Sequence, residues 1–182
     1  MLEEEPQVRS SVCEKFGVSK GQYILSLSRL DAKKRIDLVI ESFLAAKLDD
    51  YTLLIGGRGP ESERLREMVS ATNAQSRIRF AGLVDEDDLL ALKRDTALFI
   101  SMDIGDYDIS PLEAMALGVP ALCPTEFDRG KDLAACPGMV ICEPNVEAVS
   151  AAMIKMIAAP PTFDRSELAF LTWESYFSNL QK

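Results

Sequence analysis

Short apolar runs that alternate with helix-patterned segments limit this chain to few folds. The runs are nearly continuous in apolar residues and cover residues 23–27, 52–55, 78–80, 97–100, 120–123 and 139–142. Such runs are typical of parallel strands that are buried on both faces. Between them, apolar residues recur at helical spacing, as at Ile36, Val39 and Ile40. We therefore predict an α/β fold, a Rossmann-like doubly wound parallel sheet of about six strands with helices on both faces.

Chain length and breaker residues divide the sequence into three parts. The 182 residues suit a single domain with a full core. We assign residues 21–160 to that domain, residues 1–20 to a polar lead-in, and residues 161–182 to a C-terminal helical segment. An apolar stripe in that last segment must pack against this domain or against a partner. It consists of Trp173, Tyr176, Phe177 and Leu180.

The composition excludes several classes of function. The net charge is −9 and no basic block is long enough for a nucleic-acid groove, so we expect no nucleic-acid partner. No apolar run is long enough to cross a bilayer, and the acidic start of the chain is unlike a signal peptide. Without paired metal-ligand spacing, the cysteines indicate a reducing, cytosolic setting; they are Cys13, Cys123, Cys136 and Cys142. Because the chain has no histidine, it cannot supply a His-based triad or acid–base pair.

Four predicted loops carry residues that suit a ligand. In doubly wound sheets, ligands bind outside the carboxyl ends of the strands. The loops after the first four predicted strands should therefore share one edge. They are residues 28–35, 56–60, 82–84 and the stretch from 103 to the helix near 110.

This edge favours a phosphorylated ligand. The first loop clusters four cations in an otherwise acidic chain, namely Arg29, Lys33, Lys34 and Arg35, and the second loop is rich in glycine. Arginine offers a rigid fork and lysine a mobile point charge, and a diphosphate uses both. We expect the cations to lie in a first helical turn, where they oppose the helix dipole and a bound anion would compensate them. A solvated helix start is the alternative for each feature taken singly.

The fourth loop leads into an explicit helix start. Ser110 is a good N-cap, Pro111 suits the first helical position, and Glu113 falls where a capping box has an acid. Glu113 therefore has two interpretations. Its carboxylate either folds back onto the N-cap amide, or points into the crevice and accepts hydrogen bonds from ligand hydroxyls.

Several other ligand classes are disfavoured. The first loop lacks G-x-G-x-x-G, so a nicotinamide dinucleotide is not expected, and no Walker-type phosphate loop occurs. Asp103, Asp106 and Asp108 could hold a divalent metal in a metal-dependent transferase site. Short acidic loops are usually just solvated, so we predict no metal site.

Together these residues resemble the C-terminal, donor-binding half of retaining family 4 glycosyltransferases, which have the two-domain GT-B architecture. The resemblance covers residues 23–180 and rests on five motifs in order. These are Arg29-Leu30 with Lys34; Gly57, Gly59 and Pro60; Phe80, Gly82 and Val84; Pro111 to Ala116 with Gly118 and Pro120; and Thr172-Trp173-Glu174.

The resemblance implies a nucleoside-diphosphate sugar, such as a UDP- or GDP-sugar, as donor substrate, with no bound cofactor. Arg29 and Lys34 would neutralise its diphosphate and Glu113 would hold the ribose hydroxyls, so we take these three as the catalytic residues. The backbone of Val84 would bind the base. The further donor-binding residues are Ser28, Gly57, Arg58, Leu83, Val84, Asp106, Ile109, Ser110 and Pro111.

Some positions depart from the family's pattern. The family usually has a glutamate eight positions before Glu113, where this chain has Gly105. Either Asp103 or Asp106 could substitute for it. Arg35 also stands where the family usually has glycine. These departures leave open a second interpretation, a degenerate non-catalytic domain that serves as a docking subunit of a split glycosyltransferase.

The resemblance also implies a missing partner. The N-terminal, acceptor-binding half is absent, so we expect the isolated chain to be inactive. Residues 161–182 would cross back to that half; without it, we expect the Trp173 stripe to be partly exposed or buried in a dimer. We expect a cytoplasmic protein that the missing half would attach to the inner membrane.

Overall fold

The computed structural model describes residues 12–104, 109–126 and 138–164, and these alternate strands with helices. The strands are β1 (Tyr23–Leu27), β2 (Thr52–Gly56), β3 (Ile78–Gly82), β4 (Leu98–Ile100), β5 (Ala121–Pro124) and β6 (Met139–Cys142). The helices are α1 (Ile36–Ala46), α2 (Ser62–Ser70), α3 (Glu86–Asp95), α4 (Ser110–Ala116) and α5 (Val146–Ala158). A 3₁₀ helix, Ala32–Lys34, precedes α1.

The strands form one parallel sheet in the order β3-β2-β1-β4-β5-β6. This confirms the predicted doubly wound, Rossmann-like α/β fold. The chain runs outward from β1 to β3 and then returns to β4 on the other side of β1. The crevice at the carboxyl ends of β1 and β4 is therefore the topological switch point, where such sheets bind ligands.

Alternate residues of the central strands pack into two separate cores, one on each face of the sheet. Ile24 and Leu53 pack with α1 and α5, whereas Leu25 and Leu54 pack with α3 and α4 on the opposite face. The period of two along a strand produces this division, and it explains why both faces of the sheet are apolar. A fully buried side chain such as Phe43 of α1 contributes roughly 2 kcal/mol to folding.

The starts of α5 and α4 differ. Asn145 caps α5, because its side-chain oxygen accepts a hydrogen bond from the Ala148 amide at 2.9 Å. The prediction that Ser110 is the N-cap of α4 is wrong, because Ser110 is already helical. The N-cap is Ile109, whose backbone (φ −80°, ψ −17°) lies in the helical region. Pro111 consequently takes the second helical position and is buried.

The predicted domain boundaries fall largely outside the described residues. Most of the lead-in and nearly all of the C-terminal segment, including the Trp173 stripe, lie there, so both assignments remain predictions. Within the described ranges, no helix is long and apolar enough to cross a membrane. The same ranges contain no group of three or more acidic or cysteine side chains that could hold a metal ion.

Candidate functional site

Backbone hydrogen bonds join the first three predicted loops into one structure. The Ser28 amide donates to the Gly56 carbonyl at 3.1 Å, and the Leu30 amide donates to the Arg58 carbonyl at 3.1 Å. One strand further out, the Gly57 amide donates to the Gly82 carbonyl at 2.6 Å. We call residues 28–35, 56–60, 82–84 and 101–104 the carboxyl rim, since all follow the carboxyl ends of strands.

The glycines of the second loop are required by close packing of backbone on backbone. A Cβ atom at Gly57 would overlap the carbonyl oxygen of Ser28, and Gly57 also has φ +121°, which L side chains rarely adopt. A Cβ atom at Gly59 would overlap the carbonyl oxygen of Leu30. The glycines therefore let the second loop press against the loop that carries Arg29 and Lys34.

The loop after β4 meets the loop after β1 across the switch point. The Ile104 amide donates to the Lys33 carbonyl at 3.1 Å, and the Lys34 ammonium pairs with the Asp103 carboxylate. The Asp103 side chain is 3% exposed and that of Lys34 is 26% exposed. The described parts of all four predicted loops thus lie on one edge, as the topology required.

The cations of the first loop are not arranged as predicted. Lys33 and Lys34 lie in the last turn of the 3₁₀ helix, where positive charge is favourable, and the first turn of α1 holds Asp37. The expectation that Lys33 and Lys34 lie in a first helical turn is therefore wrong, whereas Arg35 is the N-cap of α1. Arg35 has a left-handed backbone (φ +48°) and pairs with Glu126 at 2.6 Å. Its guanidinium is thus directed to a protein carboxylate.

Arg29 and Ser28 present unused polar groups at the rim. The Arg29 side chain is 73% exposed, and its Nε lies 3.9 Å from Asp31 Oδ2, a loose contact. The Ser28 hydroxyl is buried and has no hydrogen-bond partner among the described residues. A buried hydroxyl without a partner loses hydration without compensation, so a ligand contact there would be favourable.

Glu113 does not show the capping-box arrangement. Its carboxylate accepts a hydrogen bond from the Lys93 ammonium, and its side chain is 49% exposed. The first interpretation of Glu113, a carboxylate folded back onto the N-cap amide, is therefore wrong. The second, a carboxylate available to ligand hydroxyls, remains a prediction.

Lys93 is the residue that sequence reasoning missed. It belongs to α3, and its side chain is 4% exposed. A signal was present, since Lys93 directly follows the apolar run from Leu89 to Leu92, of which Ala91 and Leu92 are buried. A lysine is rarely buried unless it is paired.

A cleft of about 520 Å³ opens beside the glycine-rich loop. Its walls come from the rim and from the adjoining helix and strand: Gly57, Arg58, Gly59, Ser62, Arg66, Phe80, Ala81 and Gly82. The Arg66 guanidinium lies 4.6 Å from the Phe80 ring centroid, within cation–π range. The cleft lies on the β2–β3 side of the switch point, and its two arginines suit an anionic or planar group.

The remaining predicted site residues differ in accessibility. Leu83 is 65% exposed and Ile109 is 54% exposed, so both side chains face solvent at the edge. Val84 and Ser110 are partly buried. Pro111 is buried and has no N–H, so its place is in the core. Asp106 lies outside the described residues, and its predicted role stays a prediction.

Cys13 and Cys142 are not activated nucleophiles. Burial raises the pKa of the Cys142 thiol to about 11 and also raises that of Cys13 above its ordinary value. Both thiols therefore stay protonated at neutral pH, which is the inert form. Chemistry at the rim must rest on its cations and on carboxylates.

Comparisons with known proteins agree with this architecture. The family model for Glycosyl transferases group 1 matches residues 13–167. A GDP-mannose-dependent alpha-(1-6)-phosphatidylinositol monomannoside mannosyltransferase from Mycolicibacterium smegmatis is 26% identical over 172 residues. That alignment covers 86% of this chain and 44% of the relative, so the chain spans less than half of it.

Two crystal structures show the same fold at low identity. Anabaena HepE in complex with UDP and glucose superposes with a TM-score of 0.77 at 16% identity, covering 98% of this chain and 51% of that one. The C-terminal domain of LpcC, a glycosyl transferase group 1 family protein from Francisella tularensis, gives a TM-score of 0.72 at 16% identity. It is covered over 93% of its length, and this chain over 100%.

Proposed function

Because this chain belongs to the Glycosyl transferases group 1 family, we propose that it is the donor-binding half of a retaining glycosyltransferase. Its substrate is a nucleoside-diphosphate sugar, a UDP- or GDP-sugar, from which the complete enzyme moves the sugar to an acceptor with retention of configuration. The observation that carries the proposal is the rim itself. Backbone hydrogen bonds place the loop of Arg29 and Lys34 against the glycine-rich loop at the switch point.

Each rim residue has a role that its accessibility permits. Arg29 is largely exposed and Lys34 partly so, and together they neutralise the diphosphate as it leaves. Glu113 is half-exposed and accepts hydrogen bonds from the ribose hydroxyls. The Val84 backbone binds the base beside the exposed Leu83. Cations supply the charge stabilisation, so the proposal requires no metal.

The share of each relative that the chain covers supports the proposal that the chain is one half of a longer enzyme. The chain covers 44% of the mannosyltransferase and 51% of HepE, but 93% of the isolated LpcC domain. In the two-domain architecture, transfer takes place in the cleft between the halves. The chain alone therefore binds donor without transferring sugar.

Titration calorimetry of the chain with UDP, GDP and their sugars tests the proposal. We expect binding at micromolar to millimolar concentration, weakened about tenfold or more by Arg29→Ala and by Glu113→Gln, since each removes a charge-assisted hydrogen bond. Gln is preferred to Ala at position 113 because it still offers Lys93 an acceptor. Lys155→Ala, at an exposed position of α5, is the matched control. No binding at millimolar ligand would refute the proposal.

The same titration decides the question of metal. We expect the affinity for the nucleotides to be unchanged after treatment with a chelator, because Arg29 and Lys34 neutralise the diphosphate in place of a divalent ion. An affinity that depended on added Mg²⁺ or Mn²⁺ would instead favour the metal-dependent site at the Asp106–Asp108 loop.

The second candidate function is a non-catalytic docking subunit. It is favoured by Gly105, which stands where the family usually has a glutamate. A docking subunit could keep the fold and lose donor binding, so it predicts a flat titration with UDP and GDP.

A further inference from the structure

The Lys93 ammonium is fixed from three elements at once. Lys93 lies in the last turn of α3, where positive charge is favourable to the helix dipole. Its ammonium donates to Glu113 Oε2 of α4 and lies 6.0 Å from the ring centroid of Phe99 in β4. With its side chain 4% exposed, Lys93 has little freedom to move.

Packing and charge neutrality do not explain this pair. An apolar side chain would serve equally well at an inward position of α3, as Leu92 and Ala91 do, and apolar replacements for buried ion pairs are often neutral or stabilising. Glu113 is 49% exposed, so water could solvate its charge without Lys93. The effect of the pair is that the buried Lys93 ammonium fixes the position of the half-exposed Glu113 carboxylate.

We propose that Lys93 is a positioning residue that sets the Glu113 carboxylate for the ribose hydroxyls of the donor. This inference rests on the proposed function, in which Glu113 binds those hydroxyls. A carboxylate has about four acceptor sites, and Lys93 uses one of them, so acceptors remain for two hydroxyls. A glutamate without an ion-pair partner would lose side-chain conformational entropy when the ligand binds. Because Lys93 already restricts the Glu113 side chain, that entropy cost of binding is smaller.

The helix that carries Lys93 also adjoins the base-binding segment. α3 starts at Glu86, directly after the loop of Leu83 and Val84. Lys93 therefore connects the place proposed for the base with the residue proposed for the ribose through one rigid element. A substitution at Lys93 should therefore weaken binding of the ribose more than binding of the diphosphate.

The test compares ribonucleotides with their deoxy analogues on the intact chain. We would measure dissociation constants for UDP and GDP, for the 2′,3′-dideoxy forms of both, and for inorganic pyrophosphate. We expect the chain to prefer the ribose forms by about tenfold, the usual effect of hydrogen bonds to a charged group. Glu113→Gln should reduce that preference, and Lys155→Met should leave it unchanged.

Lys93→Met is the decisive variant. We expect it to reduce the ribose preference to about the level of Glu113→Gln while changing the affinity for pyrophosphate by less than about twofold. In the double variant, Lys93→Met should add nothing to Glu113→Gln, because both act on the same contact. A ribose preference that persists in Lys93→Met, or one lost together with pyrophosphate binding, would overturn the inference and leave the proposed function standing.

Lys93→Arg covers the case in which Lys93→Met does not fold. It keeps the positive charge but carries the donor on a longer, planar group. We expect a ribose preference between those of the wild type and Glu113→Gln, and an unchanged preference would overturn the inference. If the wild type binds neither UDP nor GDP at millimolar concentration, the proposed function and this inference fail together.

Discussion

Two lysines at this site form ion pairs with carboxylates. In one pair the carboxylate is the buried partner, and in the other the lysine is. In the Lys34–Asp103 pair the carboxylate is 3% exposed and the lysine 26%. In the Lys93–Glu113 pair the lysine is 4% exposed and the carboxylate 49%. In each pair the more accessible member is the one that the sequence motif identifies as a ligand contact. The buried member fixes its position.

Substitutions of Arg29 and of Lys34 should both weaken nucleotide binding, but only the substitution of Lys34 should lower the free energy of unfolding. Arg29→Ala removes an exposed side chain, so we expect a free energy of unfolding within about 0.5 kcal/mol of wild type. Lys34→Met leaves the buried Asp103 carboxylate without its ammonium, and we expect a loss of about 2 kcal/mol, reduced from the fully buried case by partial exposure. Urea unfolding measures both, and nucleotide titration should show weaker binding in both.

The double variant Lys34→Met/Asp103→Asn is the control for this comparison. It removes both charges, so it should recover part of the stability that Lys34→Met loses. Equal stability of Arg29→Ala and Lys34→Met would contradict the burial argument.

At the scale of elements, the sequence predicted strands and helices well because each signal was local. The apolar runs at 23–27 and 139–142 are β1 and β6 to the residue. The sequence of α3 also has acids at its start and bases at its end, which suits the helix dipole. The 3₁₀ helix Ala32–Lys34 was missed, because a single turn capped by Asp31 leaves no periodic pattern.

The site was less predictable, since its pairs join distant elements. Lys34 and Asp103 are 69 positions apart, and Lys93 and Glu113 are 20 apart. Motif spacing identified Lys34 and Glu113 but contains no information about which side chain will meet them. The pairing of β1 with β4 brings Lys34 to Asp103, and the packing of α3 against α4 brings Lys93 to Glu113.

The cap of α5 allows a test at this scale. Asn145→Ala removes the hydrogen bond to the Ala148 amide, and we expect a loss of about 1 kcal/mol in the free energy of unfolding. Because Val149 and Met153 of α5 belong to the main core, the loss should appear in global unfolding. Asn145→Gly should cost only a few tenths of a kcal/mol. If Ala and Gly proved equal, the cap would not be the cause.

At the scale of the whole molecule, the chain covers about half of the HepE chain, 51% of its length. Its sheet has its own core on both faces, so no further domain is needed to bury the strands. The carboxyl rim, by contrast, keeps exposed apolar side chains at Leu83 and Ile104, and Ile109 at the start of α4 is exposed as well.

Joining the chain to an N-terminal half from a group 1 relative should restore transfer. We expect labelled glucose or mannose to pass from UDP-glucose or GDP-mannose to acceptor only in the fused protein, and nuclear magnetic resonance of the product should show the anomeric configuration of the donor. Glu113→Gln in the same fusion is the control, with turnover expected to fall about tenfold or more. Absence of turnover from a fusion that binds donor would favour the docking interpretation.

Main-chain hydrogen bonds join the first three loops of the carboxyl rim, as in the bonds from Ser28 to Gly56 and from Gly57 to Gly82. Amide and carbonyl groups are the same whatever side chain is attached to them. Replacements at exposed positions such as Arg58 and Leu83 should therefore leave these hydrogen bonds intact. Under the proposed function, a designer who wants a different nucleotide should begin at these two positions.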